Sequence, residues 1–284
     1  MHNPLSSLGR CVMGIVNCTP DSFYTGSGAM PTHDALCRTI ADYLAEGADL
    51  LDLGGYSTRP GAAEVSLEEE WQRVAAGLAA VREVCRERSA RPMVSIDTFR
   101  SEVARRAIEC YDDLEVALIN DVTGGEADNA MYDLVATSGV RYVAMHMRGT
   151  PQTMQQLTAY DDVVEEVVAE LSERVTRMRA ASVRDEQIIL DPGFGFAKEL
   201  DDNYRLVAAL DRISALGYPL LVGVSRKSMI SRALDLEKSQ TLPATTALHW
   251  ELLRRGASIL RVHDVAAARQ VVDLYNYYEK IEQR

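Results

Sequence analysis

Four side chains in this sequence could together bind a flat, nitrogen-rich ring. Asp97 and Asp191 each end a largely apolar run, PMVSID and QIILD, and Asn120 ends a third such run. Carboxylates accept hydrogen bonds and an amide both donates and accepts them, which suits the amino-pyrimidine edge of a pterin or guanine-like ring. Lys227 could supply a cation to a ring carbonyl or nitrogen. A strand-end aspartate can also cap the next helix, and for Asp97 and Asp191 that alternative stays open.

A second group of side chains is suited to an anion. Arg261 and His263 alternate near the C-terminus, Arg59 lies in a segment bounded by Gly and Pro, and Asn17 ends the first apolar run. Arginine binds phosphate oxygens at two points, and Asn or neutral His can hold phosphate or metal-bound water. This group predicts a polyphosphate site near the first and last strands. The alternative for Arg261 is an ion pair with Asp264 or a neighbouring acid.

Eight short apolar runs each end in a polar, charged or glycine-rich cluster. The clusters are NCTPDSF (17–23), GGYSTRPG (54–61), SIDT (95–98), NDVTGG (120–125), MHMRGTP (145–151), DPGFGF (191–196), GVSRKS (223–228) and RVHD (261–264). In a closed ring of parallel strands the loops after the strands converge on one face, where substrates bind. We therefore predict an α/β fold, a single (β/α)8 TIM barrel with its active site at the C-terminal ends of the strands.

Helical patterns separate the apolar runs. One stretch begins after Ser66, a suitable cap, and another extends roughly over 161–181. A doubly wound sheet also alternates strands and helices, but it leaves its outer strand ends idle, whereas all eight ends here carry polar clusters. Closure requires the first strand to pair with the eighth and the two termini to lie close together. The length of 284 residues fits one barrel domain over 1–284, with 1–10 as a short leader.

Composition and motifs exclude several classes of function. The formal net charge of -12 opposes phosphate attraction and makes nucleic acid an unsuitable partner. Five cysteines without a CxxC pair, no export signal and no long apolar span predict a cytoplasmic protein without a membrane segment. The motifs GxGxxG, GxxxxGK[ST], HExxH and GxSxG are absent, which argues against dinucleotide, nucleoside-triphosphate, zinc-protease and hydrolase sites. His146 has no second ligand at metal spacing, so we expect a packed or rim residue.

The string of motifs resembles the dihydropteroate synthase family. The family pattern MGIxNxTPDSF, DxGGxSTRPGA, SIDT, INDVxGG, MHMxGxPxTMQ, DPGxGFxK, GxSRKS and RVHDV occurs in order from Met13 to Val265. The resemblance implies a transferase of folate synthesis. Such an enzyme joins p-aminobenzoate to a dihydropterin hydroxymethyl pyrophosphate, forms dihydropteroate and releases pyrophosphate, and it uses Mg²⁺. Sulfonamides, which mimic p-aminobenzoate, should then compete for the site.

The resemblance also assigns roles to individual residues. It implies that the pterin ring is bound by Asp97, Asn120, Asp191 and Lys227, with Met145 in the same substrate site. It implies that Asn17 binds Mg²⁺ and that Arg261 and His263 bind the pyrophosphate. Arg261 can also stack on the ring. Thr58, Arg59 and Pro60 would come from a loop that closes over p-aminobenzoate, and Phe196, Lys227 and Ser228 would border that substrate. The catalytic set is then Asn17, Asp97, Lys227, Arg261 and His263.

The implied chemistry needs no covalent nucleophile. Cations and metal would stabilise the departing pyrophosphate while carboxylates stabilise a positive pterin methylene. The family tends to form homodimers, and the apolar outer face of the last helix, VVDLYNYY, could contribute. One alternative is a pterin-dependent methyltransferase-type barrel, which has no use for STRPG or SRKS. Another is a catalytically degenerate pterin binder, because Thr25 stands where many members of the family have an aspartate.

Overall fold

The computed structural model describes residues 9–20, 30–58 and 64–282, and within them eight parallel strands close into a barrel. The strands are β1 (Cys11–Asn17), β2 (Leu50–Gly54), β3 (Met93–Asp97), β4 (Val116–Asp121), β5 (Arg141–Met145), β6 (Ile188–Asp191), β7 (Leu220–Val222) and β8 (Ala257–Val262). Each strand pairs with the next, and Cys11 of β1 lies in register with Ile259 of β8. The predicted (β/α)8 barrel is confirmed, because the open-sheet alternative would have left β1 and β8 apart.

Helices connect the strands on the outside of the ring. They are α1 (His33–Ala45), α2 (Leu67–Arg88), α3 (Ser101–Cys110), α4 (Met131–Ser138), α5 (Val163–Ala180), α6 (Leu200–Ala208), α7 (Leu210–Ser214), α8 (Ser228–Leu234), α9 (Leu242–Arg254) and α10 (Val265–Glu282). Ser66 caps α2 by accepting a hydrogen bond from the backbone N–H of Glu69, as predicted. Asp162 caps the long α5 by accepting from the N–H groups of Val164 and Glu165.

Alternation along the strands divides the barrel wall into an inner and an outer face. Successive side chains of a strand point to opposite sides of the sheet. An inner layer fills the barrel, formed by Cys11, Met13, Leu50, Met93, Leu118, Val143, Ile189, Leu221 and Ile259. The residues between them, such as Leu51, Val94 and Ile119, belong to the larger core between strands and helices. Two or four positions further along each strand, side chains therefore face the inside of the barrel again, now near the carboxyl ends of the strands.

The two ends of the described chain meet, as the barrel requires. Arg10, just before β1, donates two hydrogen bonds to Glu279 of α10, at 2.5 and 2.6 Å. The same guanidinium lies 4.7 Å from the ring centre of Tyr275. The last helix thus packs over the start of the first strand, which confirms that the termini lie close together. Within the described ranges, no helix is both long and apolar enough to cross a membrane.

Candidate active site

A cavity of about 250 Å³ opens at the carboxyl ends of the strands. Its walls come from widely separated parts of the chain: Ile15, Asn17, Thr19, Tyr56, Ser57, Thr58, Asp97, Met154, Gly195, Phe196, Gly223, Ser225, Arg226, Lys227, Ser228, Lys238, Arg261 and His263. Eight residues from the predicted site are among them: Asn17, Thr58, Asp97, Phe196, Lys227, Ser228, Arg261 and His263. The strand ends therefore bring together the side chains proposed for the ring and those proposed for the anion.

Arg261 lies at the centre of a charged cluster on the inner face. Its Nε donates to Asp52 Oδ2 at 2.6 Å and its Nη2 donates to Asp97 Oδ2, also at 2.6 Å. Asn120 Nδ2 donates to the same Asp52 oxygen at 3.0 Å. The suggested pair between Arg261 and Asp264 does not form, because Asp264 accepts instead from Arg226. Arg261 pairs instead with the acids Asp52 and Asp97, so the second form of that alternative, an ion pair with a neighbouring acid, is correct.

One guanidinium in this cluster faces two carboxylates. Burial raises the pKa of Asp97, Arg261 opposes that rise and the charge of Asp52 adds to it. Burial lowers the pKa of Arg261, but Asp52 and Asp97 outweigh it, so its pKa is raised overall and the arginine stays charged. Asp52 Oδ1 and Ser95 Oγ are buried and have no hydrogen-bond partner among the described residues. Such atoms are costly unless a bound group satisfies them.

Asp191 and Lys227 carry opposite charges that act on each other beside the cavity. Burial raises the pKa of Asp191 while Lys227 lowers it, and burial lowers the pKa of Lys227 to about 8 while Asp191 opposes the change. Lys227 Nζ donates to the carbonyl of Phe194 and lies 4.6 Å from the ring centre of Phe196. The ammonium group therefore lies over an aromatic ring and feels the negative charge of Asp191, both of which favour a cation.

Neither predicted strand-end aspartate caps the following helix. The helix after β3 begins after Arg100, which makes no side-chain cap hydrogen bond. The helix after β6 begins after Glu199, whose backbone N–H donates to Asp202 Oδ2 at 3.4 Å. Asp191 instead accepts from the backbone N–H of Gly193 at 2.7 Å, within its own loop. The capping alternative is wrong for both residues, so the carboxylates remain candidates for a ligand.

A glycine fixes the path of the loop after β6. Gly193 has φ +69°, and a Cβ there would lie 1.9 Å from the carbonyl oxygen of His146. Only glycine combines this backbone conformation with so close an approach. The tight packing against the loop after β5 holds the Phe194 carbonyl and Phe196 beside Lys227, and so shapes one wall of the cavity.

Asn17 and His263 lie at the ends of the neighbouring strands β1 and β8. Both line the cavity. Ser225 Oγ accepts from the backbone N–H of His263 at 3.2 Å and lies 3.3 Å from its Nδ1. Thr58 lines the same space. The remaining predicted loop residues Arg59 and Pro60, and also Thr25, lie outside the described residues.

Asn120 and Met145 are not among the residues that line the cavity. Asn120 is almost fully buried and contacts Asp52, as given above. Met145 ends β5 and belongs to a small apolar cluster, which also contains Val122, Met147, Met154 and Ala197 and contacts Phe99 and Phe196. This cluster gives the inner site an apolar side, which a flat ring could contact.

Sequence reasoning missed two charged residues of this region. Asp52 is fully buried and binds both Arg261 and Asn120. Lys198 is also buried, with its Nζ 3.0 Å from His146 Nδ1 and 3.0 Å from the carbonyl oxygens of Gly193 and Phe196. Burial lowers the pKa of Lys198 to about 7, although Asp191 opposes that change. Both residues are fixed positions of the motifs DxGG and DPGxGFxK, a signal that marks them without predicting a role.

His146 is a packed residue, as expected. Its Nε2 lies 2.9 Å from Glu170 Oε2, and Arg148 donates to the same carboxylate. Burial and the charge of Lys198 lower the pKa of His146 to about 4. The ring thus links α5 to the loop after β6.

Comparisons with known proteins agree with this geometry. The family model described as "Pterin binding enzyme" matches residues 13–263. The dihydropteroate synthase of Synechocystis is 41% identical over 263 residues, which cover 92% of this chain and 87% of that protein. A solved Xanthomonas albilineans dihydropteroate synthase with 4-aminobenzoic acid superposes with a TM-score of 0.83 at 38% identity, covering 97% of this chain and 94% of that one. A Yersinia pestis dihydropteroate synthase in a sulfonamide drug complex gives a TM-score of 0.87 at 34% identity, covering 97% and 96%.

Proposed function

We infer the roles of individual residues from the premise that this chain belongs to the pterin binding enzymes and, within them, to the dihydropteroate synthases. The enzyme is a transferase that joins p-aminobenzoate to dihydropterin hydroxymethyl pyrophosphate, giving dihydropteroate and pyrophosphate. The observation that carries the assignment of roles is the convergence of Asp97, Lys227 and Arg261 on one cavity. The carboxylate and the ammonium group suit the pterin ring, and the guanidinium suits the pyrophosphate leaving group.

The pterin ring binds among the inner-face acids. Asp97, Asn120 and Asp191 offer the acceptors and the donor that an amino-pyrimidine edge requires, and Lys227 offers a cation. The unpartnered Asp52 Oδ1 supports a ligand in this position. When the ring's amino group takes the place of Arg261 Nη2 on Asp97, the guanidinium becomes available to stack on the ring or to meet the pyrophosphate.

p-Aminobenzoate binds nearer the rim, against Phe196, Lys227, Ser228 and Thr58, which all line the cavity. The Xanthomonas structure contains 4-aminobenzoic acid and the Yersinia structure is a sulfonamide complex, so competition by sulfonamides is expected here as well. The charge of Lys227 attracts the carboxylate of the substrate, and the Phe196 ring packs on its aromatic face. Arg59 and Pro60 are assigned to this substrate by family resemblance alone.

Mg²⁺ is proposed on the wall formed by β1 and β8. This ion prefers oxygen ligands and usually completes its coordination with substrate phosphates and water rather than with a full set of protein groups. Asn17 offers one amide oxygen there, and His263 on the next strand can contact the same pyrophosphate. The donor set therefore fits. When bound, the ion would neutralise charge on the pyrophosphate.

The chain's own residues carry the rest of the reaction. The amine nitrogen of p-aminobenzoate bonds to the pterin methylene carbon. The bond from that carbon to the pyrophosphate oxygen breaks with its electrons on pyrophosphate, and the amine releases a proton. Asp97 and Asp191 stabilise positive charge on the pterin side, while Arg261 and His263 stabilise the leaving group. Exclusion of water by the rim loops favours the amine over hydrolysis.

A product assay tests this assignment. The full chain is incubated with the pterin pyrophosphate, p-aminobenzoate and Mg²⁺, and we expect dihydropteroate with one pyrophosphate released per turnover. Lys227→Ala should weaken the binding of both substrates, and an effect on one alone would contradict its position between them. Pterin binding in calorimetry without product, together with activity in Thr25→Asp, would instead support the degenerate binder.

We further propose a homodimer formed through α10. Four large side chains on one face of this helix are exposed: Leu274, Tyr277, Tyr278 and Ile281. Their spacing of three and four residues forms a continuous apolar stripe, a common feature of helix interfaces. Sedimentation velocity should give a dimer that Leu274→Glu converts to monomer, and a monomeric parent protein would contradict the proposal. We also propose a cytoplasmic location and a single domain over 1–284. Five free thiols support the cytoplasmic location.

A further inference from the structure

The outer surface between α1 and α2 carries a cluster of three metal-binding side chains. His33 and Cys37 are four residues apart on α1 and so lie on the same face of the helix. Glu83 projects from the neighbouring α2. Within residues 9–20, 30–58 and 64–282, this is the one set of three or more His, Cys, Asp or Glu ligand atoms all within 4.8 Å of one another.

The distances within the cluster approach those of a tetrahedral site. His33 Nε2 lies 3.5 Å from Cys37 Sγ and 2.9 Å from Glu83 Oε2, and Cys37 Sγ lies 3.9 Å from Glu83 Oε1. With ordinary zinc bond lengths, the edges of a tetrahedron would be about 3.6 Å between N and S, about 3.4 Å between N and O and about 3.6 Å between S and O. The two Glu83 distances refer to different oxygens of its carboxylate, but one ligand atom from each of the three residues lies within 4.8 Å of the other two. Rotation of the half-exposed Glu83 side chain would bring a single oxygen toward both partners.

The ligand chemistry and the surrounding charge both favour a borderline-soft divalent cation. A thiolate and an imidazole suit Zn²⁺, whereas Mg²⁺ prefers oxygen ligands alone. Two further acids, Asp34 and Glu87, lie close enough to act electrostatically on Cys37. The side chains of His33 and Glu83 are about half exposed, at 45% and 53%, so solvent can supply a fourth ligand.

We propose that His33, Cys37 and Glu83 form a second metal site, which binds Zn²⁺ with a water molecule as its fourth ligand. The site would join α1 to α2 on the outside of the barrel. None of its three residues lines the substrate cavity. It is therefore separate from the Mg²⁺ proposed at Asn17, and it does not depend on the assignment of the reaction.

Metal titration of the full-length protein tests the site. Zn²⁺ is titrated by calorimetry into metal-free protein in excess Mg²⁺, and Co²⁺ is titrated separately to observe the thiolate charge-transfer band. We expect one Zn²⁺ per chain and a Co²⁺ band that disappears in Cys37→Ser. His33→Gln and Glu83→Gln should each weaken Zn²⁺ binding by ~10-fold or more.

Two matched variants separate this site from other thiols and acids. Cys110→Ser removes an exposed cysteine outside the cluster, and Glu87→Gln removes a neighbouring acid that is not a proposed ligand. Cys110→Ser should leave the Co²⁺ band intact, and Glu87→Gln should keep the stoichiometry at one. Absence of Zn²⁺ binding in the parent protein, or equal binding by the Cys37→Ser variant, would overturn the proposal. Far-UV circular dichroism of each variant establishes that it is folded.

Discussion

Asp97 and Asp121 end neighbouring strands of the same barrel, yet their surroundings differ in kind. Asp121 points outward, where it accepts from Tyr142 OH at 2.7 Å, from the N–H and hydroxyl of Thr123 at 2.8 Å and from the N–H of Gly125 at 3.0 Å. Asp97 points inward to the cavity and pairs with Arg261. One carboxylate is saturated by four donors of the fold, and the other shares one cation with Asp52.

Hydrogen bonding, and not pKa, distinguishes the two roles. Burial raises the pKa of both carboxyls, so the direction of the shift is the same. The donors around Asp121 come from its own loop and the next strand, and they leave no obvious position for a ligand. A buried carboxylate with few partners is costly to the fold, and function is the usual reason for keeping one. The contrast teaches that a strand-end acid should be judged by its unfilled acceptors.

The largest expected effect at a fixed pH comes from Asp121→Asn. The amide replaces one acceptor oxygen by a donor that faces other donors, so we expect unfolding free energy to fall by about 3 kcal/mol. Urea denaturation of the apo protein measures this. The matched change Asp97→Asn should cost the apo fold less than about 1 kcal/mol, because it removes one partner of a guanidinium that keeps Asp52. Equal losses in the two variants would remove the distinction.

Asp97→Asn should instead weaken binding of the pterin substrate by ~1 to 3 kcal/mol, because a charged acceptor for the ring's amino group is lost. This corresponds to about 5- to 150-fold in dissociation constant, which calorimetry can measure. Unchanged affinity would exclude Asp97 from the ring site. Asp121→Asn, measured at a temperature where it remains folded, should bind pterin as the parent protein does.

The inner-face pattern explains which parts of the site could be predicted. Asp97 and Asp191 close their apolar runs, so the change from apolar to charged residues identifies them as strand ends. Asp52 lies within LLDLGG, where the apolar run continues past it and conceals it. Its inward direction follows from alternation with Leu50, and a lone carboxylate at such a position was a usable signal.

Other contacts could not be obtained from sequence. Lys198 reaches His146, 52 residues away, and its burial depends on the path of the loop after β6. Arg261 pairs with Asp52 across 209 positions, although Asp264 is its nearer neighbour in sequence. Partner choice among several acids is decided by side-chain geometry across the barrel, and no local pattern encodes it. Strand order, in contrast, follows from eight repeated local units.

Lys198 is a buried cation whose titration should make the stability of the fold depend on pH. Its pKa in the folded protein is lowered to about 7 from an ordinary 10.5. The unfolded chain therefore binds this proton more tightly, and the contribution of Lys198 to stability increases between pH 7 and 10.5 and is lost as pH falls. As pH rises through that window, the unfolding free energy of the parent should increase relative to that of Lys198→Met by up to ~1.4 kcal/mol per pH unit. An exposed control, Lys280→Met, should run parallel to the parent, and a parallel Lys198→Met curve would contradict a buried, depressed lysine.

The smallest effect concerns one donor to Asp121. Tyr142→Phe removes the hydroxyl that lies 2.7 Å from Asp121 Oδ2 but keeps the ring in the outer core. Three donors to the carboxylate remain, so we expect a loss of about 1 kcal/mol in unfolding free energy and unchanged pterin affinity. Urea denaturation and calorimetry of the same preparation measure the two quantities. A weakened pterin affinity would mean that the outer carboxylate also positions the ligand, since Asp121 adjoins Asn120 on β4, and the separation of inner and outer acids would then be incomplete.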